Sequence, residues 1–190
     1  MAPEKKPLLG KVAVVGGNGF LGHHIVNQAL DRWTCAAVSS IDLRCDRNRR
    51  SDAIYRECDI TDSEKLLSVI KELAPDIVIH TASPVADNSH ALAKDIFRKV
   101  NVEGTASVVE ACQKAGVKAL IYTSSASIIS DGKTDLLNAD ERWPVLRGAQ
   151  QNEYYSETKV RRSPRPRGVR PATPFIVLID FSRPLLKKLC

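Results

Sequence analysis

Apolar positions along this chain fall into two rhythms that take turns, short continuous runs and helix-spaced stripes. The first run, residues 11–15 (K-V-A-V-V), predicts a central strand of a parallel sheet, because such strands are covered on both faces. Behind it Leu21, Ile25, Val26, Ala29 and Leu30 share one helical face and predict a helix over residues 20–32. A second strand is predicted at 36–41, ending in Asp42, and a short third at 53–58. Leu66, Leu67, Ile70 and Leu73 stripe a helix over 63–73, which Pro75 ends. Thr61 or Asp62 is positioned to cap it. A fourth strand is expected at 76–80. A long helix then spans 91–115, with Gly116 as its stop, and a fifth strand covers 118–122. Asn101 lies in the middle of that helix's apolar face, where a buried amide needs partners; the backbone of a neighbouring strand is the expected one. Strand and helix alternating in this way predict an α/β chain with a doubly wound parallel sheet.

The chemistry is concentrated where the strands end. Val12 to Gly22 reads V-A-V-V-G-G-N-G-F-L-G, a strand running into glycines at 16, 19 and 22 and then a helix. Gly16 allows a sharp turn, Gly19 lets a diphosphate approach the backbone, and Gly22 lets helix and strand pack closely. The helix N-terminus then faces the anion. This context makes G-x-x-G-x-x-G a dinucleotide-binding signature and the sheet Rossmann-like. Asp42 comes 20 residues after Gly22, where a carboxylate accepts from ribose hydroxyls and disfavours a 2′-phosphate. NAD is therefore expected over NADP, although Arg44 and the cluster Arg47, Arg49 and Arg50 follow. The D-I-T-D turn puts Asp59 near the adenine edge. Thr81-Ala82-Ser83-Pro84 leaves the fourth strand with small residues suited to lying against a cofactor. His80, at that strand's end, is read as structural.

Tyr155 and Lys159 form Y-x-x-x-K. Residues four apart share a helix face, and an ammonium beside a phenol favours phenolate. Tyr155 thus qualifies as a general base for a hydroxyl proton. Tyr154 competes, but its partner four residues on is Thr158. Ser125, in the Thr-Ser-Ser run after the fifth strand, can hold the substrate oxygen.

Composition refines this picture. The 190 residues hold 43% hydrophobic side chains, enough for one packed domain. No apolar run is long enough to span a membrane, and residues 1–9 lack the apolar core of a signal peptide. The five cysteines show no paired spacing and fit reduced thiols in a cytoplasmic chain. The net charge of +6 is uneven. Residues 160–190 carry eight Lys/Arg against one acid, and the rest carry 20 against 21. The basic character belongs to the tail, which weakens any nucleic-acid reading.

G-G-N-G-F-L-G, Asp42, D-I-T-D, H-T-A-S-P, N-V-E-G-T, Y-T-S-S-A-S and Y-Y-S-E-T-K, in this order and spacing, resemble the extended short-chain dehydrogenases. Within them the chain is most similar to the 3β-hydroxysteroid dehydrogenase family, and there to its sterol-4α-carboxylate 3-dehydrogenase (decarboxylating) branch. The resemblance implies oxidation of a sterol 3β-hydroxyl, with loss of CO₂ where a 4α-carboxylate is present. It makes Ser125, Tyr155 and Lys159 catalytic, with Lys159 also on the ribose. It assigns Gly16, Gly19, Phe20, Leu21 and Gly22 to the diphosphate, Asp42 to the ribose, Asp59 and Ile60 to the adenine, and Ala82 and Ser83 to the middle of the cofactor. It leaves open NADP in place of NAD, a sterol against a terpenoid substrate, peripheral association with the endoplasmic reticulum membrane, and a homodimer. Nucleotide-sugar epimerases and dihydroflavonol-type reductases are the related alternatives, and a non-catalytic NAD-binding module is another.

The resemblance covers residues 11–160, read as an NAD-binding domain after an N-terminal extension of residues 1–10. It stops at residues 161–190, a tail rich in Pro and Arg. Pro164 and Pro166 are expected to end the helix about one turn after Lys159. A strand is conceivable at 175–179. The tail reads either as a genuine basic segment or, as the favoured expectation, as the product of a frame change, a retained intron or a premature end. Most of a family substrate domain is then missing.

Overall fold

The computed structural model describes residues 8–84, 93–139, 143–161 and 176–179. Its strands are β1 (Leu8–Val15), β2 (Thr34–Asp42), β3 (Ile54–Glu57), β4 (Ile77–His80), β5 (Ala119–Thr123) and β6 (Ile176–Ile179). Its α-helices are α1 (Phe20–Arg32), α2 (Ser63–Leu73), α3 (Ala93–Phe97), α4 (Thr105–Ala115) and α5 (Tyr154–Arg161). The strands form one sheet in the order β3-β2-β1-β4-β5-β6, and every neighbouring pair is parallel. This is the doubly wound, Rossmann-like arrangement that the strand–helix rhythm predicts.

β1 shows why its run is continuously apolar. Ala13 and Val15 point into one core with Leu66, Ile70, Val108 and Leu120. Val12 and Val14 point into the other, with Val26, Ala29 and Val38. Successive side chains alternate across the sheet, so a strand covered on both sides has no position left for a polar residue. Val26 and Ala29 of the α1 stripe are buried, with Ile25 and Leu30 half-buried against the same core; Leu66 and Ile70 of the α2 stripe are buried with Val69, and Leu67 and Leu73 are half-buried beside them. Asp62, not Thr61, caps α2, accepting from the Lys65 N–H at 3.1 Å.

The expected long helix is interrupted. Residues 91 and 92 lie outside the described residues, and Arg98–Gly104 between α3 and α4 is π-helical. Widened turns of this kind frequently sit at functional sites. Asn101 is in that segment, 1% exposed. Its partners are side chains, not the strand backbone expected from the sequence. Its Oδ1 accepts from Ser83 Oγ at 3.0 Å, and its Nδ2 donates to Thr158 Oγ1 at 3.0 Å. One amide thus ties the loop after β4 to helix α5. Gly116 closes α4 at a φ of 72°, and α5 ends at Arg161. Pro164 and Pro166 lie outside the described residues.

The β1–α1 turn depends on two glycines. Gly16 has a φ of +85°, and a Cβ there would lie 2.6 Å from the Ala82 nitrogen. A Cβ on Gly22 would lie 2.0 Å from the Gly16 oxygen and 2.7 Å from the Gly17 Cα. Both contacts are with backbone, so no rotamer change relieves them. Gly22→Ala is expected to cost about 1–3 kcal/mol of stability, the usual range for overpacking. Urea unfolding followed by circular dichroism checks this.

Candidate active site

β1 pairs with β2 on one side and β4 on the other, so the connections leave in opposite directions from its carboxyl end. In such sheets the crevice at this switch point is where ligands bind. A cleft of about 360 Å³ opens there, lined among others by Gly16, Gly19, Asp42, Asp59, Ile60, Ala82 and Ser83. All of these are cofactor residues expected from the sequence. Phe20, Leu21, Gly22 and Lys159 do not line it. Phe20 is 83% exposed and stacks edge-on with His24. Gly22 is buried in the helix–strand contact.

The first turn of α1 nonetheless faces the cleft's glycine wall. Its N-cap, Gly19, makes no side-chain cap, and no acid lies in the first turn. The leading N–H groups of a helix have no intrahelical acceptor, so this end can receive an anion. A Cβ on Gly19 would meet only the Gly16 oxygen, at 3.2 Å; the backbone is otherwise open to close approach. Asp42 ends β2 and accepts the Asn18 N–H at 2.9 Å. Asn18 is itself held by Ser40 Oγ at 2.6 Å and by its donation to the Arg47 carbonyl at 2.6 Å. Arg47 also lines the cleft; sequence reading placed it only in a basic cluster. Asp59 is held in its own turn, accepting from the Thr61 N–H and hydroxyl, both at 2.8 Å.

Beyond β5 and on α5 stands the second group. Lys159 is 3% exposed, and no carboxylate among the described residues pairs with it. Its Nζ lies 5.4 Å from the centre of the Tyr122 ring and 5.8 Å from that of Tyr155. Burial pulls its ammonium down to about 8, because a charge out of water is penalised. Tyr155 packs edge-on against Phe97 at 5.6 Å. Tyr154 turns elsewhere, beneath the Lys94 ammonium at 5.8 Å, so of the two adjacent tyrosines it is Tyr155 that lies beside Lys159. Ser125 caps the 3₁₀ turn Ala126–Ile129 through the Ser127 N–H at 3.2 Å.

Below this group lies a buried polar floor. His80 is 1% exposed, with Nε2 3.1 Å from Thr105 Oγ1. Burial first, then the nearby Lys159 charge, pushes it down to about 3. It is neutral at physiological pH and structural, as read from its strand-end position. Burial raises the Tyr122 phenol well above its ordinary range. His80 Nδ1 and Ser124 Oγ are buried without a hydrogen-bond partner among the described residues. The described cysteines Cys35, Cys45, Cys58 and Cys112 are free. No group of described residues could hold a metal ion, and none of their helices is long and apolar enough to cross a membrane.

The family model described as 3-beta hydroxysteroid dehydrogenase/isomerase matches residues 13–162. The decarboxylating sterol-4-alpha-carboxylate 3-dehydrogenase of Schizosaccharomyces pombe is 40% identical over 137 residues, covering 70% of this chain and 38% of that protein. The enzyme of the same name from Candida albicans is 35% identical over 159 residues, covering 80% and 43%. The chain therefore spans less than half the length of these curated relatives. Among solved structures, the UDP-glucose 4-epimerase of Thermus thermophilus in complex with NAD superposes with a TM-score of 0.68 at 26% identity, covering 78% of this chain and 47% of the epimerase.

Proposed function

The chain belongs to the 3-beta hydroxysteroid dehydrogenase/isomerase family, and from that premise we propose that it is the cofactor-binding and catalytic portion of an NAD-dependent sterol 3β-hydroxyl dehydrogenase. The observation that carries this reading is Lys159. A buried ammonium costs stability, such perturbed groups cluster at functional sites, and this one, with no carboxylate paired to it among the described residues, lies 5.8 Å from the centre of the Tyr155 ring.

The cleft fits a dinucleotide. It combines an uncapped helix N-terminus, an open glycine backbone and a carboxylate at the end of β2. Gly16, Gly19 and the first-turn N–H groups of Phe20, Leu21 and Gly22 would hold the diphosphate. Asp42 would take the adenosine ribose, Asp59 and Ile60 the adenine side, and Ala82 and Ser83 the central portion. When bound, NAD supplies the hydride acceptor, taking the carbinol hydrogen with its electron pair. Tyr155 would take the hydroxyl proton, Lys159 would stabilise negative charge on the tyrosine oxygen and hold a cofactor ribose, and Ser125 would bind the oxygen that becomes the ketone. Where C4 carries a carboxylate, the product would be a β-keto acid, which would release CO₂ as the C–C electron pair moves toward the ketone, leaving an enolate that takes a proton from solvent at C4. The names of the relatives support a 4-carboxysterol as substrate. An apolar substrate also suits a cytoplasmic chain that docks peripherally on the endoplasmic reticulum membrane, and a homodimer belongs to the same reading. Residues 11–160 form most of the cofactor domain in this view, and residues 176–179 add β6 to the edge of the same sheet.

Calorimetric titration of NAD and NADP tests the cofactor assignment. NAD is expected to bind the more tightly, and Asp42→Ala to narrow the difference. Equal affinity in the wild type would refute the assigned role of Asp42.

A further inference from the structure

We propose that Ser127 and Ser156 fix the direction of the Ser125 hydroxyl, so that Ser125 presents its proton, and not a lone pair, to the substrate oxygen. This deepens the dehydrogenase reading and rests on it for the identity of that oxygen.

Three hydroxyls form a chain from the interior of α5 to the end of β5. Ser156 directly follows Tyr155 and is fully buried. Its hydroxyl donates to Ser127 Oγ at 2.8 Å. Ser127 Oγ lies 2.7 Å from Ser125 Oγ, and the Ser127 N–H also donates to Ser125 Oγ, at 3.2 Å.

A hydroxyl carries one proton and two acceptor sites, so the direction of this chain can be counted out. Ser127 receives the Ser156 proton and is left with its own, for which Ser125 is the neighbour at 2.7 Å. Ser125 then accepts twice, from the Ser127 O–H and the Ser127 N–H. Both its lone pairs are engaged, and only its proton remains for the substrate oxygen. The competing acceptor among the described residues is Glu153, whose Oε2 lies 3.3 Å from Ser156 Oγ. Glu153 is exposed, and its contact is longer than the one to Ser127.

The arrangement has a catalytic consequence. Each donor in such a chain is polarised by the one behind it, so Ser125 becomes a stronger donor. A donor is of little use to a neutral alcohol but stabilises the alkoxide character that grows as the hydride leaves. That is stabilisation confined to the transition state, which raises kcat more than it lowers KM. Ser127 and Ser156 are positioning residues in this scheme; neither touches substrate.

Neutron diffraction from deuterium-exchanged crystals of the full 190-residue chain tests the direction without requiring turnover. The expected result is a deuteron on Ser127 Oγ directed at Ser125 Oγ, with the Ser125 deuteron directed away from Ser127. A deuteron on Ser125 Oγ directed at Ser127 would overturn the proposal. Kinetics on a 3β-hydroxysterol test the consequence. Ser127→Ala is expected to lower kcat and kcat/KM together by about tenfold, the equivalent of one hydrogen bond, with KM unchanged and Ser127→Thr restoring the rate. A raised KM at constant kcat, or a loss that Ser127→Thr does not restore, would contradict it. If the wild type transfers no hydride at all, the dehydrogenase reading fails, and the neutron result still decides the direction of the hydroxyl chain.

Discussion

Tyr155→Phe is expected to lower hydride transfer by about 10²–10⁴-fold, the usual contribution of a positioned general base, while leaving NAD affinity and fold intact. The substitution removes one oxygen. The edge-on ring contact with Phe97 at 5.6 Å is equally available to phenylalanine, and Tyr155 does not line the cofactor cleft. Tyr154→Phe is the matched control, since that ring lies under Lys94 and its loss should leave the rate unchanged. Single-turnover reduction of bound NAD measures both. Equal losses in the two variants would remove Tyr155 from the chemistry.

Lys159→Met should make the chain more stable and inactive. The ammonium is 3% exposed, and burial holds it at about 8, against an ordinary value of 10.5. At pH 7 the folded chain bears the cost of that buried charge, on the order of 3 kcal/mol from the size of the shift. A methionine of similar shape escapes it. The pH dependence has a definite sign. Between about 8 and 10.5 the unfolded chain binds the proton that the folded chain has released, so wild-type stability rises with pH through that window. Lys159→Met should lack this rise. Thermal unfolding of both proteins at about pH 7 and about pH 9.5, on either side of the folded-state transition, checks it. A variant less stable than wild type at pH 7 would show that Lys159 is a structural residue.

How much of this was legible in the sequence varies by element. Strand β1 and helices α1 and α2 could be read because burial leaves a periodic trace: a run where both faces are covered, and a stripe where one is. The glycine turn was legible for a steric reason, since Gly16 and Gly22 occupy places that no Cβ could share. Asp42 was legible because β2 must end a fixed distance after the turn. Side-chain partners across elements left no such trace. Asn101 was visible as an anomaly, but its partners, Ser83 and Thr158, lie 18 and 57 residues away. Nothing in the spacing could name them. The π-helical segment was also hidden, because one widened turn barely disturbs the apolar stripe around it. Arg47 entered the cleft through a loop held by Asn18, and loop paths are not written in periodicity. Ser127 and Ser156 sat inside the motifs that drew attention, yet their link depends on how α5 is set against β5.

The chemistry itself is tested most directly by mixing the purified chain with NAD and a 3β-hydroxy-4α-carboxysterol, then following reduced nicotinamide and released CO₂ together. The account predicts that both appear in equal amounts in the wild type and that neither appears with Tyr155→Phe. NAD that binds but is never reduced would contradict it, and would leave the chain as a cofactor-binding module.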